Sequence, residues 1–500
     1  MTKTKLAAVL AAASVTVPVV AHAFCGFYVS GAGDQMFNNA TQVVLMRSGT
    51  RTVLSMQNNY QGPPQDFAMV VPVPVVLHEG DVQTLPKETL QKIDMMGAPR
   101  LVEYWELDPC APEPVYDLAP MPAPPMEMAA SGAAEDKKDY GVKIEAQFVV
   151  GEYQIVILSA RDSTGLDAWL RDSHYKIPPG AEPLLRPYVE AGSKFFVAKV
   201  DPKKVKFDGN QAALSPLRFH YDSEEFALPI RLGLANSSGT QDLIVNILAP
   251  HQRYELANYP NVTIPTNFDV VDGVRKRFGE FYAALFDRTL EKHPGAIVTE
   301  YAWQAMSCDP CPGPNLDYHD MATLGADVVG DSGDFTMTRL HARYGKTDVP
   351  NDLVFKAAPP IVGGREMRGT NQQLEHGAAP GDFNNFQGRY AIRHPWTGPV
   401  SCASPQRGRW SGSPPAGTQI ADQGIMAATN LAFAPRGKIQ LPNVVAEPVP
   451  EIGVTPGVPL PGGAGFHNKQ GCGCESSDPT GPIGVVLAIG ALAFLRRKRR

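Results

Sequence analysis

The chain has 500 residues, with 45 Lys and Arg against 51 Asp and Glu, and a formal net charge of −6. Gly and Pro occupy 46 positions each, an excess over the roughly 12% that the two residues share in average proteins. An apolar content of 43% still suffices for a buried core. These numbers exclude a wholly disordered chain, a coiled coil, a polytopic membrane protein and a basic nucleic-acid binder.

The first residues have the pattern of a secretory signal. Lys3 and Lys5 precede an apolar run over 6–20, and alanines stand at positions 21 and 23, where a signal peptidase requires small residues. An uncleaved anchor would need a longer apolar run. We therefore expect a signal peptide over 1–23, cleavage by signal peptidase between Ala23 and Phe24, and export through the inner membrane.

Runs of apolar and β-branched residues then predict strands along most of the chain. Pro72 and Pro74 restrict the third run to an edge or an irregular strand, because proline donates no ladder hydrogen bond. In chain order the predicted strands are Thr41–Arg47, Arg51–Gln57, Phe67–Leu77, Val142–Val150, Tyr153–Ser159, Lys194–Val200, Phe226–Leu232, Asp242–Leu248, Ile297–Trp303 and Phe335–Tyr344.

Helices are fewer. Leu85–Met95 and Thr164–Asp172 are two predicted helices, the second with a capping box of Thr164 and Asp167. The third runs over 272–291, with an apolar face and Asp272 at its start. Since strands outnumber helices without regular alternation, the predicted class is α+β, with mixed, mainly antiparallel sheets.

Two stretches are rich in proline and read as poorly structured. Residues 111–139 predict a flexible insertion, and 416–470 predict a Pro/Gly-rich linker, a semi-extended stalk between the folded body and the C-terminal segment. Residues 356–415 are expected to be a C-terminal extension of the core.

Cysteines are the sharpest chemical feature of the core. The candidates for disulfides are Cys25, Cys110, Cys308, Cys311 and Cys402, because an exported protein folds in an oxidising compartment. Cys308-Asp309-Pro310-Cys311 is open to three interpretations: a structural disulfide, a redox-active dithiol, or half of a metal site. Connectivity cannot be read from the sequence, and five core cysteines cannot all pair among themselves.

Other motifs identify no catalytic, cofactor-binding or metal-binding residue. The histidines form no His-Glu-x-x-His pattern, and no phosphate-binding glycine loop is present. Gly330-Asp331-Ser332-Gly333 is similar to the nucleophile segment of trypsin-like proteases, but Asp334 replaces the expected glycine and a polar turn explains the same residues.

The C-terminus combines a cysteine motif, an apolar segment and a basic end. Cys472 and Cys474 alternate with glycines, residues 482–495 are apolar, and five cations over 496–500 close the chain. A helix of the apolar segment would be about 21 Å long, short of the roughly 30 Å hydrocarbon core. The pattern predicts either a marginal tail anchor or a sorting signal that is held in the membrane until it is cut.

Residues 471–500 resemble the MYXO-CTERM sorting domain, which has the same three parts in the same order. The resemblance implies cleavage by a myxosortase-type processing enzyme and a new membrane attachment, a lipid anchor on Cys472 or Cys474, at the cell surface or outer membrane. Without residues 1–23 and 472–500, the chain keeps 38 basic and 49 acidic residues, a net charge of −11 that argues against nucleic acid as a partner.

A second resemblance covers residues 24–355. The start Cys25–Tyr28, the run Phe67–Pro74 and the Cys308–Cys311 motif, in this order, are similar to the DUF 2330 family, a bacterial domain of unknown function. It implies no activity. The sequence therefore predicts an exported, surface-anchored envelope protein with a structural or binding role and an unknown ligand, without a cofactor. The alternative is an exported enzyme, either a hydrolase or a thiol oxidoreductase that uses Cys308 and Cys311.

Overall fold

Two β-sheets pack face to face at the centre of the fold, and helices cover their outer faces. The computed structural model describes residues 27–30, 40–57, 60–61, 67–111, 140–173, 175, 177, 179–201, 203–208, 211–236, 240–330, 333–365, 374–410, 425–429 and 436–460. The chain divides into two units, Met1–Pro459 and Leu460–Arg500, and only Leu460 of the second unit is described.

The smaller central sheet has five antiparallel strands. Their spatial order is β1 (Phe27–Ser30), β5 (Phe67–Val73), β10 (Lys194–Val200), β9 (Tyr153–Ala160) and β8 (Val142–Val150). Pro72 lies beyond the stretch of β5 that pairs with β1, so the strand has a single described neighbour at that point. The proline is tolerated there because no partner requires its missing N–H.

The larger sheet has eleven strands and forms the centre of the fold. Ten follow one spatial order: β23 (Ala379–Pro380), β22 (Ile361–Gly363), β24 (Asn385–Gln387), β19 (Ile297–Gln304), β20 (Phe335–Tyr344), β15 (Gln241–Pro250), β2 (Ala40–Ser48), β3 (Arg51–Met56), β13 (Leu217–Asp222) and β6 (Val82–Thr84). The eleventh, β17 (Asn261–Thr263), pairs with β19 in parallel. The predicted strands Thr41–Arg47 and Arg51–Gln57 are confirmed as β2 and β3, which form a hairpin, and Gly49 in its turn has a positive φ of 54°.

Three small sheets contain the other strands of the described residues. A four-stranded sheet has the order β18 (Phe268–Asp269), β25 (Arg389–His394), β7 (Arg100–Trp105) and β26 (Ile425–Ala427), and its pairs β18–β25 and β25–β7 are parallel. The three-stranded sheets are β14 (Ala227–Leu228), β21 (Leu353–Ala358), β16 (Arg253–Leu256), and β11 (Lys206–Asp208), β12 (Gln211–Ala213), β4 (Tyr60–Gln61).

Helices lie between and beside these strands. The α-helices are α1 (Lys87–Gly97), α2 (Ser163–Asp172), α3 (Glu182–Glu190), α4 (Phe278–Lys292), α5 (Tyr318–Met321) and α6 (Asp327–Val329), with a π-turn over Ala322–Ala326. Short 3-10 helices cover Glu79–Asp81, Arg231–Asn236, Asp272–Arg277, Leu441–Asn443 and Pro450–Ile452.

The apolar core has three layers of contact. Ile157 and Phe196 of the five-stranded sheet pack with Val245 of the larger sheet in the first layer. In the second, Leu166 of α2 and Leu185 of α3 cover the opposite face of the five-stranded sheet. In the third, α1 and the segment around Leu324 cover the opposite face of the larger sheet. The arrangement confirms the predicted α+β class with mainly antiparallel sheets.

Several predicted elements need local correction. The strand expected over Phe226–Leu232 covers only Ala227–Leu228, because Pro229 cannot continue the ladder and a 3-10 helix follows. Helix α2 is capped by Asp162, whose carboxylate accepts from the Gly165 amide, and not by a Thr164–Asp167 capping box. Asp272 is the first residue of a 3-10 turn whose N-cap is Val271, and its carboxylate accepts a hydrogen bond from Arg275.

The predicted linker over 416–470 is in part a folded segment. Over 436–460 the chain lies against α4 and β18: Val445 bridges Val270, and the carbonyl of Ile452 accepts from Arg288 at 3.0 Å. Leu441, Val449 and Val454 are buried. The stalk prediction is wrong for this stretch, because the apolar residues that lie between its proline turns pack against the folded body.

Other predicted features lie outside the described residues. They are the cleavage site at Ala23 and Phe24, most of the insertion (112–139), and the apolar segment 482–495. No helix in the described part of the chain is long and apolar enough to span a membrane.

If 436–460 is part of the core, shortening its buried side chains must destabilise the protein. Ile452 is 1% exposed, and we expect Ile452→Ala to lower the free energy of unfolding by about 2–5 kcal/mol. The matched control Val458→Ala, at a 54% exposed position of the same segment, should change it by less than about 0.5 kcal/mol. Urea unfolding measures both, and equal small effects would show that the segment is a linker after all.

Candidate functional site

Three basic side chains project from one face of β20 at the centre of the larger sheet. Arg339, His341 and Arg343 stand at i, i+2 and i+4, which places them on the same face of the strand. Carboxylates from both neighbouring strands lie beside them, Glu300 from β19 and Asp242 from β15. Helices α1 and α4 cover this face, so the sheet and helices enclose a cluster of charges.

Glu300 and Arg339 form the innermost pair, and both side chains are fully buried. The Arg339 Nε donates to Glu300 Oε2 at 2.8 Å, and its Nη1 donates to Asp94 Oδ1 of α1 at 2.6 Å. The Tyr282 hydroxyl of α4 donates to Glu300 Oε1 at 2.6 Å. Burial acts to raise the pKa of Glu300, but His341 and Arg339 outweigh it and hold that pKa at about 2.

His341 connects the two carboxylates of the neighbouring strands. Its Nδ1 lies 2.7 Å from Glu300 Oε1, its Nε2 lies 3.4 Å from Asp242 Oδ1, and the Phe286 ring of α4 stacks on the imidazole at 3.7 Å between centroids. Burial acts to lower the pKa of His341, but the charges of Glu300 and Asp242 and the hydrogen bond to Glu300 outweigh it, so the pKa is raised. The geometry therefore favours the imidazolium form.

The outer part of the cluster includes the folded C-terminal segment. Arg343 donates to Asp242 Oδ1 at 3.0 Å and to Asp287 Oδ1 of α4 at 2.6 Å. Arg436 forms ion pairs with the same two carboxylates. Four carboxylates thus meet three guanidinium groups and one imidazole, which makes the cluster neutral when His341 is protonated.

Burial decides what this cluster can do. Glu300 and Arg339 are 0% exposed and His341 is 1% exposed, so a solute cannot contact them without displacement of α4. A buried pair whose members are both hydrogen-bonded fixes the relative position of the elements that carry it, and removal of one member leaves an uncompensated charge. We therefore interpret the cluster as structural.

The Cys308–Cys311 pair is a disulfide in the loop between β19 and α5. Two carbonyls of that loop are held by buried side chains: Arg100 Nη1 donates to Pro310 O at 2.6 Å, and Gln387 Nε2 donates to Asp309 O at 2.7 Å. The pair does not stand at the start of a helix, the position that lowers a thiol pKa in redox motifs.

A second disulfide joins Cys110 to Cys402, 292 residues apart in sequence. Backbone bonds support it on both sides, from Gln406 N to Pro109 O and from Leu107 N to Arg409 O, each at 2.8 Å. These two bridges confirm the prediction of a disulfide-supported fold. Three other candidate cysteines, Cys25, Cys472 and Cys474, lie outside the described residues.

The remaining sequence candidates are either without a metal-binding group in the described ranges or lie outside them. Within the described ranges, no group of three or more His, Cys, Asp or Glu side chains could hold a metal ion. Asp331 and Ser332 of the protease-like motif lie outside those ranges. Sequence reasoning missed the charge cluster, although one signal was present: three basic residues alternate with apolar ones inside the predicted strand Phe335–Tyr344.

The raised pKa of His341 predicts a loss of stability at alkaline pH. A histidine whose folded pKa exceeds its ordinary 6.5 stabilises the protein fully below that value, and the contribution is lost as pH rises through the folded pKa. We expect wild type to exceed His341→Gln in free energy of unfolding most at acidic pH, and the gap to narrow as pH rises. Urea titrations from about pH 5 to about pH 9 test this.

The control for that series is His251→Gln, which changes a histidine whose side chain is 74% exposed. It should cost far less stability than His341→Gln, because substitution of an exposed side chain changes few contacts. A His341→Gln difference that does not depend on pH would mean that folding leaves the pKa of this imidazole unchanged, and a difference that grows with rising pH would mean that folding lowers it.

Comparison with known protein families gives a match to the part of the chain that contains most of the charge cluster. A family model described as "Uncharacterized protein conserved in bacteria (DUF2330)" matches residues 19–356, about the extent that the motifs indicated. Neither the curated proteins nor the solved structures contain a match. Since the match covers more than half of its residues, the chain belongs to the DUF2330 family of bacterial proteins.

Proposed function

We propose that this protein is an exported component of the cell envelope that is held at the cell surface through its processed C-terminus. The signal pattern over 1–23 supports export, and the resemblance of residues 471–500 to MYXO-CTERM domains supports cleavage by a myxosortase-type enzyme. The attachment would follow on Cys472 or Cys474, with a lipid as the anchor.

The Cys110–Cys402 disulfide is the structural observation that carries the proposal. Disulfides persist in oxidising compartments, whereas cytosolic thiols are kept reduced. This bridge closes a very long loop and is integrated into backbone hydrogen bonds on both sides. It therefore has the character of a permanent structural bond, as expected of a protein that matures outside the cytosol.

A structural or binding role fits the described residues better than catalysis. Among these residues, the densest group of titratable side chains is the cluster around Glu300 and Arg339. It is buried beneath α4, and its positive and negative charges balance. The chemistry of such a cluster is to hold sheet and helices together. The ligand of a binding role would then contact other surfaces of the body.

The intact mass of the protein, taken non-reduced from its native host, tests this proposal. We expect a species that lacks residues 1–23 and the C-terminal tail, with a lipid adduct that Cys472→Ser or Cys474→Ser abolishes. Peptide mapping should recover the Cys110–Cys402 and Cys308–Cys311 pairs. A mature protein that keeps residues 483–500 and carries no adduct would contradict processing and leave a tail-anchored protein.

The alternative function is that of a thiol oxidoreductase that uses Cys308 and Cys311. The disulfide between these two cysteines, in a C-x-x-C motif, is compatible with that function. The loop contacts with Arg100 and Gln387 argue for a structural brace instead. We expect Cys308→Ser/Cys311→Ser to lower the free energy of unfolding by about 2 kcal/mol, as for a disulfide that closes a short loop. Wild type and this variant should both reduce insulin no faster than a reaction without protein.

The matched control is Cys110→Ser/Cys402→Ser, which removes the other bridge and leaves the C-x-x-C pair intact. If wild type and this control reduce insulin and the Cys308→Ser/Cys311→Ser variant does not, at unchanged stability, the oxidoreductase function is correct.

A further inference from the structure

One face of the four-stranded sheet carries a row of arginines. Strands β7 and β25 run parallel, with Arg100 opposite Arg389 and Tyr104 opposite Arg393. Side chains at i and i+4 of a strand share a face, so the four residues lie on one side of the sheet. The guanidinium carbons of Arg389 and Arg393 lie 5.5 and 5.4 Å from the centroid of the Tyr104 ring.

Two of the three arginines have clear partners. Arg100 donates to the carbonyls of Met96 and Ala98 at the C-terminal end of α1, and to Pro310 O, and the helix dipole there favours a cation. Arg393 donates from Nε to both carboxylate oxygens of Asp269, at 2.9 and 3.0 Å. Their charges are accounted for by the fold itself.

Arg389 differs from both. It is 6% exposed, yet its side chain makes no ion pair and no hydrogen bond with any residue that the structure describes. Burial, with the charges of Arg100 and Arg393, lowers the pKa of Arg389 to about 9. A buried charge without a counter-charge costs several kcal/mol, so a folded protein normally supplies a partner for it.

The Tyr104 hydroxyl adds a second donor on the same face. It is buried, and it too lacks a hydrogen-bond partner among the described residues. A planar guanidinium matches carboxylate and phosphate oxygens in pairs, and a phenol can donate to the same anion. The two side chains thus offer the donors and the charge that an oxyanion requires.

We propose that Arg389 and Tyr104 form a binding site for an oxyanion group, the carboxylate or phosphate of a small ligand. Arg100 and Arg393 raise the positive potential around the site, while Nη1 and Nη2 of Arg100 donate to carbonyls and Nε of Arg393 donates to Asp269. The proposal stands independently of export and anchoring, which concern the two termini.

Anion-dependent stabilisation of the full-length mature protein tests the site. Thermal unfolding and calorimetric titration would use inorganic phosphate in one arm and acetate in the other, against sodium chloride at equal ionic strength. We expect a saturable rise of the unfolding midpoint in one arm, which assigns the ligand group as phosphate or carboxylate. The absence of any shift beyond chloride in both arms would overturn the proposal.

Variants separate the site from general charge effects. Arg389→Met should weaken anion binding by about ten-fold or more, and without anion it should unfold at the wild-type midpoint or above. Arg186→Met, which changes an arginine that is 56% exposed and paired with Glu182, should keep the wild-type anion response. A lower anion-free midpoint for Arg389→Met would mean that the chain itself supplies the counter-charge, and would overturn the proposal.

Tyr104→Phe keeps the ring under Arg389 and removes only the hydroxyl. It should bind the anion about three-fold to ten-fold more weakly at an unchanged midpoint, as expected for one lost hydrogen bond. Wild-type affinity in this variant would exclude Tyr104 from the site, and the proposed pair of donors with it.

Discussion

The buried pair of Glu300 and Arg339 determines where the surrounding elements must lie. Neither side chain contacts water, so each depends on the other and on the groups that complete their hydrogen bonds. Helix α1 contributes Asp94 and helix α4 contributes Tyr282. Apolar packing alone would allow each helix to slide over the sheet, whereas a buried charge accepts only the positions in which a partner faces it. The cluster thus supplies positional specificity to a core that is otherwise held by nondirectional contacts.

Local patterns in the sequence predicted every described strand of seven or more residues but few of the shorter ones. The hairpin at Gly49 and the pair around Gly151 were predictable because each joins neighbours in the chain through a glycine that adopts positive φ. Helix α3 was not among the predicted helices. It contains Pro183 and Pro187, a residue type that usually ends a helix, and the first is tolerated in the opening turn. The pattern that could have indicated it is Leu185 and Val189, four residues apart on the buried side.

The cluster itself depends on contacts that no local pattern contains. Glu300 meets Arg339 because β19 and β20 are neighbours in the sheet, and Asp242 joins them because β15 lies on the other side of β20. Strand order is a global property. The pairing of Cys110 with Cys402 has the same origin, since the cysteines were candidates by type and compartment but their partners were fixed by the fold.

The segment 436–460 was wrongly predicted as a linker because the prediction gave more weight to its proline content than to its apolar residues, which are buried in the fold.

The contact of Arg436 with Asp242 and Asp287 has a consequence for the extent of the folding unit. Family similarity ends at residue 356, but the charge balance of the matched body is completed by an arginine 80 positions further along the chain. Without this arginine, one negative charge of the buried cluster would lack a partner. A chain cut at residue 356 would therefore not hold the complete folding unit, which extends past the boundary of the family match.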